Sequence, residues 1–392
     1  MVRMKVFLFA AMFLFSSLPA MAGSFVVGTC KPRLTSFATI SAAVTSVPPG
    51  STIQVCPGVY PEQVTISQPL NLMGIASNNQ DQVLVTVPPT GLTANVTSIF
   101  TEPVAAQLLV QSPGVEITNI GVDGAGGDQA CSTSNIWLAG IFYASGSSGE
   151  VERVRASGQI DEGCGVGIWA ENGDGTNRFI SIHDSSVHDA DGAGIFVGSG
   201  VAPTLTAFLR NNVVSMNFGP IGIQVNGNNG IVSQNIVSDA LAGVFDLAPG
   251  VRVSSNTIAS ASFGILSLLG GGTISNNDIS NSGYGVFLAA GGSTVQSNRI
   301  MLASVAAIEF NCVSATVSHN SINDATIGLD MVPTGFHGPN SFANAGTIST
   351  DGCGPTPLAA TAARSQSRVA AQSGTFTPQQ WRTPANPLGQ QK

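Results

Sequence analysis

Between Leu205 and Met331 one short phrase is written six times, and its clearest letter is an asparagine. Asn212, Asn235, Asn256, Asn277, Asn298 and Asn320 follow one another at intervals of 23, 21, 21, 21 and 22 residues. Three residues before each stands Leu209, Val232, Val253, Ile274, Val295 or Val317, and two after it Val214, Val237, Ile258, Ile279, Ile300 or Ile322. Farther on a small residue precedes an aliphatic: Gly222-Ile223, Gly243-Val244, Gly264-Ile265, Gly285-Val286, Ala307-Ile308 and Gly328-Leu329. A repeat of this length marks a solenoid, in which each unit buries its apolar side only by stacking on its neighbours.

Leucine-rich repeats would show Leu-x-x-Leu-x-Leu runs, and helical repeats an apolar spacing of three and four; neither occurs. Each period instead carries short runs of Val, Ile, Leu or Phe broken by Gly, Asn and Ser at fixed offsets, which is strand chemistry. The expected fold is all-β: a single-stranded parallel β-helix of about ten to twelve coils, roughly 50 Å long at one strand spacing per coil. Crossovers between parallel strands are overwhelmingly right-handed, so the coil is expected to be right-handed too. Asparagines stacked in register can pass a hydrogen bond from one amide to the next and fix a turn, so their column is expected to hold shape rather than to select a ligand.

Arg3 and Lys5 precede an apolar run from Val6 to Phe15, and Ala20-Met21-Ala22 offers a small-x-small cleavage site, so residues 1–22 read as a secretory signal cleaved after Ala22. Secreted or periplasmic placement follows. No internal apolar run has the roughly 20 residues a spanning helix needs. All six cysteines, Cys30, Cys56, Cys131, Cys164, Cys312 and Cys353, lie beyond the signal. An even count in an oxidising compartment implies disulfides, and pairing neighbours (30 with 56, 131 with 164, 312 with 353) suits a chain that returns to the same place a coil or two later. No C-x-x-C spacing suggests a thiolate metal site.

The domain reading is a β-helix over residues 23–353, with a cap helix at 37–47, repeat coils at 108–331 and a disordered Ala-, Gln-, Ser- and Pro-rich tail at 354–392. Phe37, Ile40, Val44 and Val47 are spaced as one helical face, with Thr35 or Ser36 as its cap. Such a helix would cover the open end of the stack. Residues 81–106 lack the period and fit a loop or an extra pair of strands. From Gly23 to Cys353 the chain has 8 basic against 22 acidic residues, a net charge of −14, which excludes attraction to nucleic acid. A monomer is expected.

The wording PPG-STIQV-CPGVYPEQVTI-x-x-PLNLMG between Pro48 and Gly74 resembles the opening coil of the pectin-lyase-like superfamily. It is similar to secreted right-handed β-helix proteins of the NosD type and to the first strands of pectin methylesterases. The resemblance implies the fold of about 300 residues and a carbohydrate context. Glu62, in Gly-x-Tyr-x-Glu, is implied to fix the fold rather than to act as an acid. The methylesterase wordings D-x-x-F, D-F-I-F and Leu-Gly-Arg-Pro-Trp, and the polygalacturonase signatures Asn-Thr-Asp, Gly-x-Asp-Asp and Gly-His-Gly, are absent.

Charge gathers on the middle coils, where Gly140, Gly167, Gly194 and Gly222 are 27 to 28 residues apart and the surplus must leave the wall as loops. Nine of the 22 acids lie between Glu150 and Asp191, together with Arg153, Arg155, Arg178, His183 and His188. Aligning the coils on Gly167 and Gly194 sets Asp161 over His188 and Glu162 over Asp189; matching Val154 with Val187 would instead set Arg155 over His188. Three readings stand: solvated loops, calcium held by Asp161, Glu162, Asp189 and Asp191, or catalysis by Asp161, Glu162, His188, Asp189 and Asp191. His183 and His188 as a metal pair is a fourth. Asp246 falls in an otherwise apolar column (Val197, Val225, Leu288, Phe310, Met331), as a buried hydrogen-bonded acid or at a bulge. The function expected first is carbohydrate binding along a polysaccharide. The alternatives are a polysaccharide-active hydrolase, lyase or epimerase using the acidic coils, and a structural or adhesive surface solenoid.

Overall fold

A computed structural model describes residues 21–75, 83–200, 205–226, 230–333, 338–350 and 353. Most of the expected signal and all of the tail lie outside these residues. The chain winds into a right-handed parallel β-helix. A 13-stranded sheet forms one wall, and a 21-stranded sheet bends to form two more. One coil reads as Ile231–Ser233 in the first wall, then Ile236–Asp246, a single bent strand. Its first part pairs with Thr257–Ala259 in the second wall, its last with Phe263–Ser267 in the third. Beyond the two N-terminal strands, the first wall holds eleven successive strands from Ser51–Val55 to Thr316–Ser318.

The aliphatic columns face inward. Val232, Val253, Ile274, Val295 and Val317 sit opposite one another in register and are at most 1% exposed. Every period-two inward position adds to a single continuous core running from Val27 to Val332. Asp246 enters the core from the third wall, between Val225 and Ser267, and accepts hydrogen bonds from Ala248 N and Ser267 Oγ. It is a buried, bonded acid; burial first, against those two bonds, pushes its carboxyl up to about 7.

The asparagines occupy the dry corner between the first and second walls. Asn256 shows the unit: its Oδ1 accepts from Asn235 N and Asn235 Nδ2, each at 2.9 Å, and its Nδ2 donates to Asn277 Oδ1 and Val232 O, each at 2.9 Å. Both donors and both acceptor sites of the amide are used. The ladder is longer than the six readable repeats. Asn340 receives bonds from Asn320 N and Nδ2, and Ser185 donates its N–H to Asn212 Oδ1 while its Oγ accepts from Val154 N. Just before each ladder residue the backbone is left-handed, as at Gln234, Ser255, Asn276, Ser297 and His319 (φ 56 to 59°). A second left-handed corner follows the second wall at Asp239, Ser260, Asn281, Leu302 and Asp324. Non-glycine residues adopt this region rarely, so the coil is bent at two places that the ladder and the stacked strands hold.

At the N-terminal end the cap differs from expectation. Thr35–Phe37 is a strand, pairing with Ser24–Val27, and the helix is the shorter Ile40–Ser46 with Thr39, not Thr35 or Ser36, as its N-cap. The expected helix start at Phe37 gives way because that residue pairs along an edge strand. Ile40, Ala43 and Val44 enter the core as a plug. Glu62 holds the plug in place: its carboxylate accepts from Ile40 N and Ser41 N, both at 2.9 Å. The three disulfides are Cys30–Cys56, Cys131–Cys164 and Cys312–Cys353, which suits an oxidising compartment. No described helix is long and apolar enough to cross a membrane.

Asn256→Ala should lower the unfolding free energy by about 3 kcal/mol, because it takes a partner from Asn235 N–H, Asn235 Nδ2–H, Asn277 Oδ1 and Val232 O, all buried. The half-buried Asn340 should cost less, and Ile274→Ala about 2 to 5 kcal/mol through the cavity it leaves. Denaturation midpoints of the three variants test this; an unshifted midpoint for Asn256→Ala would remove the ladder from the stabilising interactions.

Candidate functional site

The middle coils are out of step between walls. In the second wall Arg155 pairs with Ser186 and Ser157 with His188; in the third Val166 pairs with Ala193. The coil step is thus 31 residues in one wall and 27 in the next, and the loop 158–164 takes up the difference. Asp161 therefore does not lie over His188, as the glycine alignment alone suggested. It sits in the corner loop, where its Oδ1 accepts from Gln129 N at 2.9 Å and Cys131 N at 3.2 Å. Burial, and next the hydrogen bond with Asp128, raise its carboxyl to about 7. Glu162 accepts from Ser132 N at 2.8 Å. Asp191 accepts from Asp161 N, Gly163 N and Gly165 N, each at 2.8 Å. These carboxylates clamp loops, and the Cys131–Cys164 disulfide ties the same two loops together.

His188 and Asp189 remain available at the surface. Asp189 Oδ2 is 2.8 Å from His188 Nδ1, and Arg155 Nε–H donates to His188 Nε2 at 2.8 Å. Asp189 and Asp191 line a shallow cleft of about 250 Å³ with Ile160 and Met216.

His183 is not its partner. It lies on the first wall with Nδ1 against Asp184 and Nε2 against Glu150. Burial works against its protonation, but the hydrogen bonds to Glu150 and Asp184 outweigh it and hold the imidazole above its ordinary value. Among the described residues, Glu152, His183 and Asp184 are the three that bring ligand atoms within 4.8 Å of one another; Asp161, Glu162, Asp189 and Asp191 do not form such a group. The expected calcium set is therefore dispersed, three of its members being bonded to backbone N–H groups.

The larger cavity lies on the outer face of the third wall, where no charged motif pointed. Strand alternation turns Ile168 and Ala170 inward and Trp169 outward. Trp169 stands in an outward row with Phe142 before it and Phe196 after it, and the row continues through Gln224, Phe245, Leu266 and Phe287 to Glu309 and Asp330. Trp137 meets Trp169 edge to face at 5.6 Å, and Phe196 meets it at 5.2 Å. Above them lies a segment of the stretch that lacked the repeat: Val96–Thr97 pairs antiparallel with Pro103–Val110, and the turn between them, Ile99 to Glu102, reaches over the wall. Phe100 packs on Phe196 with ring centres 5.8 Å apart. Together they enclose about 440 Å³, within the range of small-ligand sites.

Two acids hold the roof. Glu171 Oε1 accepts from Ile99 N at 2.8 Å, and Glu102 accepts from Asn135 Nδ2 at 2.7 Å. Burial pushes Glu171 up to about 8, against the lowering effects of Ile99 N–H and the Trp169 indole, so it is uncharged at neutral pH. The cavity and the cleft of Asp189 adjoin. Gly163 and Gly192 line the first, Ile160 and Asp191 the second, and one pair of corner loops separates them.

By sequence, no family model and no curated protein matches the chain. By structure it is similar to the A-module of mannuronan C-5 epimerase AlgE4 from Azotobacter vinelandii, with a TM-score of 0.53 and 14% identity over 80% of this chain and 91% of that one. It is also similar to the GH136 lacto-N-biosidase from Eubacterium ramulus (TM-score 0.47, 10% identity, 83% of this chain and 68% of that one). A third is PfbA, a surface adhesin of Streptococcus pneumoniae (0.43, 12%, 79% and 88%). At such identities the likeness speaks to fold alone, and the fold is a parallel β-helix.

The raised carboxyl of Glu171 gives a pH signature. Its folded value of about 8 lies above an ordinary 4.5, so the unfolded chain loses this proton first. The stability it contributes is full below pH 4.5 and is lost as pH rises toward 8. Asp161, Asp246 and Glu309 shift the same way, so the comparison needed is between variants. Glu171→Gln should show a shallower fall in melting temperature between pH 5 and 8 than the parent; equal slopes would mean that Glu171 is ionised in the folded protein.

Proposed function

We propose that this protein binds polysaccharide along the outer face of its third wall, outside the cytoplasm, with residues 1–22 as its export signal. The observation that carries this reading is the shared corner: an aromatic cavity for the apolar face of a sugar ring lies next to a cleft lined by Asp189, Asp191 and Asn217, which suit its hydroxyls. The outer row of Phe245, Leu266 and Phe287 extends the same face along the stack, in the direction a chain of sugars would follow.

Binding is favoured over cleavage because Asp161, Glu162 and Asp191 are bonded to backbone N–H groups. A polysaccharide-active enzyme remains the second reading, resting on the Asp189 carboxylate, which lines the cleft and is held beside His188. In either case the ligand is a neutral or weakly charged glycan, since the acidic body repels a polyanion.

A glycan array followed by calorimetry tests the first reading. Phe196→Ala, on the half-buried rim, should weaken a bound glycan about tenfold, the worth of one aromatic contact. Reducing-sugar release should be nil for the parent; release that disappears in Asp189→Ala would replace binding with catalysis. A protein that captures no glycan at all would be left as a scaffold or adhesin.

A further inference from the structure

Residues 354–392 lie outside the described coils, and their charge is the opposite of the body's. They carry Arg364, Arg368, Arg382 and Lys392 and no acid, against a net −14 from Gly23 to Cys353. A segment tethered to a body of opposite charge meets it at an effective concentration on the order of millimolar. Among its polar residues stand two aromatics, Phe376 and Trp381, and Arg382 follows Trp381 directly.

The point at which this segment leaves the stack is fixed. The Cys312–Cys353 disulfide ties its start to the end of the strand Arg299–Glu309, whose last residue belongs to the outward row of the third wall. Glu309 pairs in that row with Asp330, so the cations set out from beside two acids. The same row leads back to the cavity. Leu266 is two coils from Glu309 and Trp169 six, or about 10 and 29 Å at one strand spacing per coil. On this side the cavity lining extends to Leu268 and the exposed Leu269. Trp381 is 28 residues from Cys353, a length that spans about 30 Å as a coil and about 90 Å fully extended. Tethered binding is strongest when the coil dimension of the tether matches the span, as it does here.

We propose that residues 354–392 dock back along the outer face of the third wall, with Trp381 in the aromatic cavity and Arg382 toward the Asp189 cleft, so that the protein covers its own site. Two adjoining hollows, one apolar and one acidic, are matched by two adjoining residues, one aromatic and one cationic. The docking rests on charge, exit point and reach. Its effect on ligands rests on the polysaccharide reading above, since the segment and a glycan then compete for one cavity.

Trypsin, which cuts after Arg364, Arg368 and Arg382, tests the docking on the full chain, with the released fragments read by mass. The parent should be cut at least tenfold more slowly than Trp381→Ala. Leu269→Lys, an exposed change on the cavity rim, should speed cutting by a similar factor, and the two changes together should do no more than either alone. Equal rates in the parent and Trp381→Ala, or a Leu269→Lys variant cut as slowly as the parent, would overturn the docking. Protection that falls on dilution would overturn it in favour of the cavity of a second copy. Calorimetry with neutral xylan and β-glucan tests the competition: Trp381→Ala should bind about tenfold more tightly than the parent. Equal affinity beside a protected segment would overturn the shared cavity. Binding of no glycan by either form would overturn the polysaccharide reading and leave the docking to the trypsin result.

Discussion

Everything in this molecule depends on polar groups that are buried in a dry corner and leave no valence unused. A coil of about 21 residues must turn sharply, and its turns carry backbone and side-chain groups that water cannot reach. The asparagine amide meets the demand because it has two donors and two acceptor sites, and a neighbour one strand spacing away has the same set. Each rung therefore satisfies the next. The same bonds also fix register: a coil displaced by one residue would take its ladder asparagine out of line with its neighbours and would turn its inward column to the outside. Aliphatic burial supplies most of the stabilisation, and the ladder adds directional bonds that only an aligned amide can make.

The interior was legible because translation along a stack repeats the same environment. An inward position at Val253 sees Val232 on one side and Ile274 on the other, so similar residues recur and the period shows. Glu62 was legible only through the resemblance of Gly58-x-Tyr60-x-Glu62 to the opening coil of known β-helices. The ends were less so. Thr35–Phe37 could be a helix start or an edge strand on local pattern alone, and only Ser24–Val27, a strand that the letters did not announce, decides between them. The second left-handed corner went unseen as well. Asp239, Ser260, Asn281 and Leu302 share a backbone shape and no side-chain chemistry.

The outer site was read incompletely, and the cause is physical. Charge was taken as the marker of chemistry, yet Asp161, Glu162 and Asp191 prove to be fasteners for the loops that the longer coils throw off. Their function in the chain is to replace, with a carboxylate, the strand partners that a loop lacks. Register was the second obstacle. A glycine column fixes the third wall, but the four residues by which the second wall differs are hidden in 158–164, where nothing repeats. The signal that could have found the cavity was the scarce one: only 6% of residues are aromatic, and two of the three tryptophans fall on outward positions one coil apart.

The roof shows how a solenoid makes a site without breaking its symmetry. The inner columns continue unchanged through the middle coils, so the third wall remains a flat ladder with no concavity of its own. Concavity comes from a segment inserted early in the chain and folded forward along the stack: Ile99 bonds to Glu171, 72 residues later, and Phe100 packs on Phe196, a coil beyond that. A segment that crosses coils cannot join their hydrogen-bond ladder, so it must be held by side chains, and Glu171 is the one that reaches its backbone. That carboxyl is buried between the roof and the indole of Trp169, and it is tolerated there because it keeps its proton. The fold thus separates two tasks. Repeated neutral amides inside keep the coils in register, and single, unrepeated acids outside hold in place the pieces that shape a ligand site.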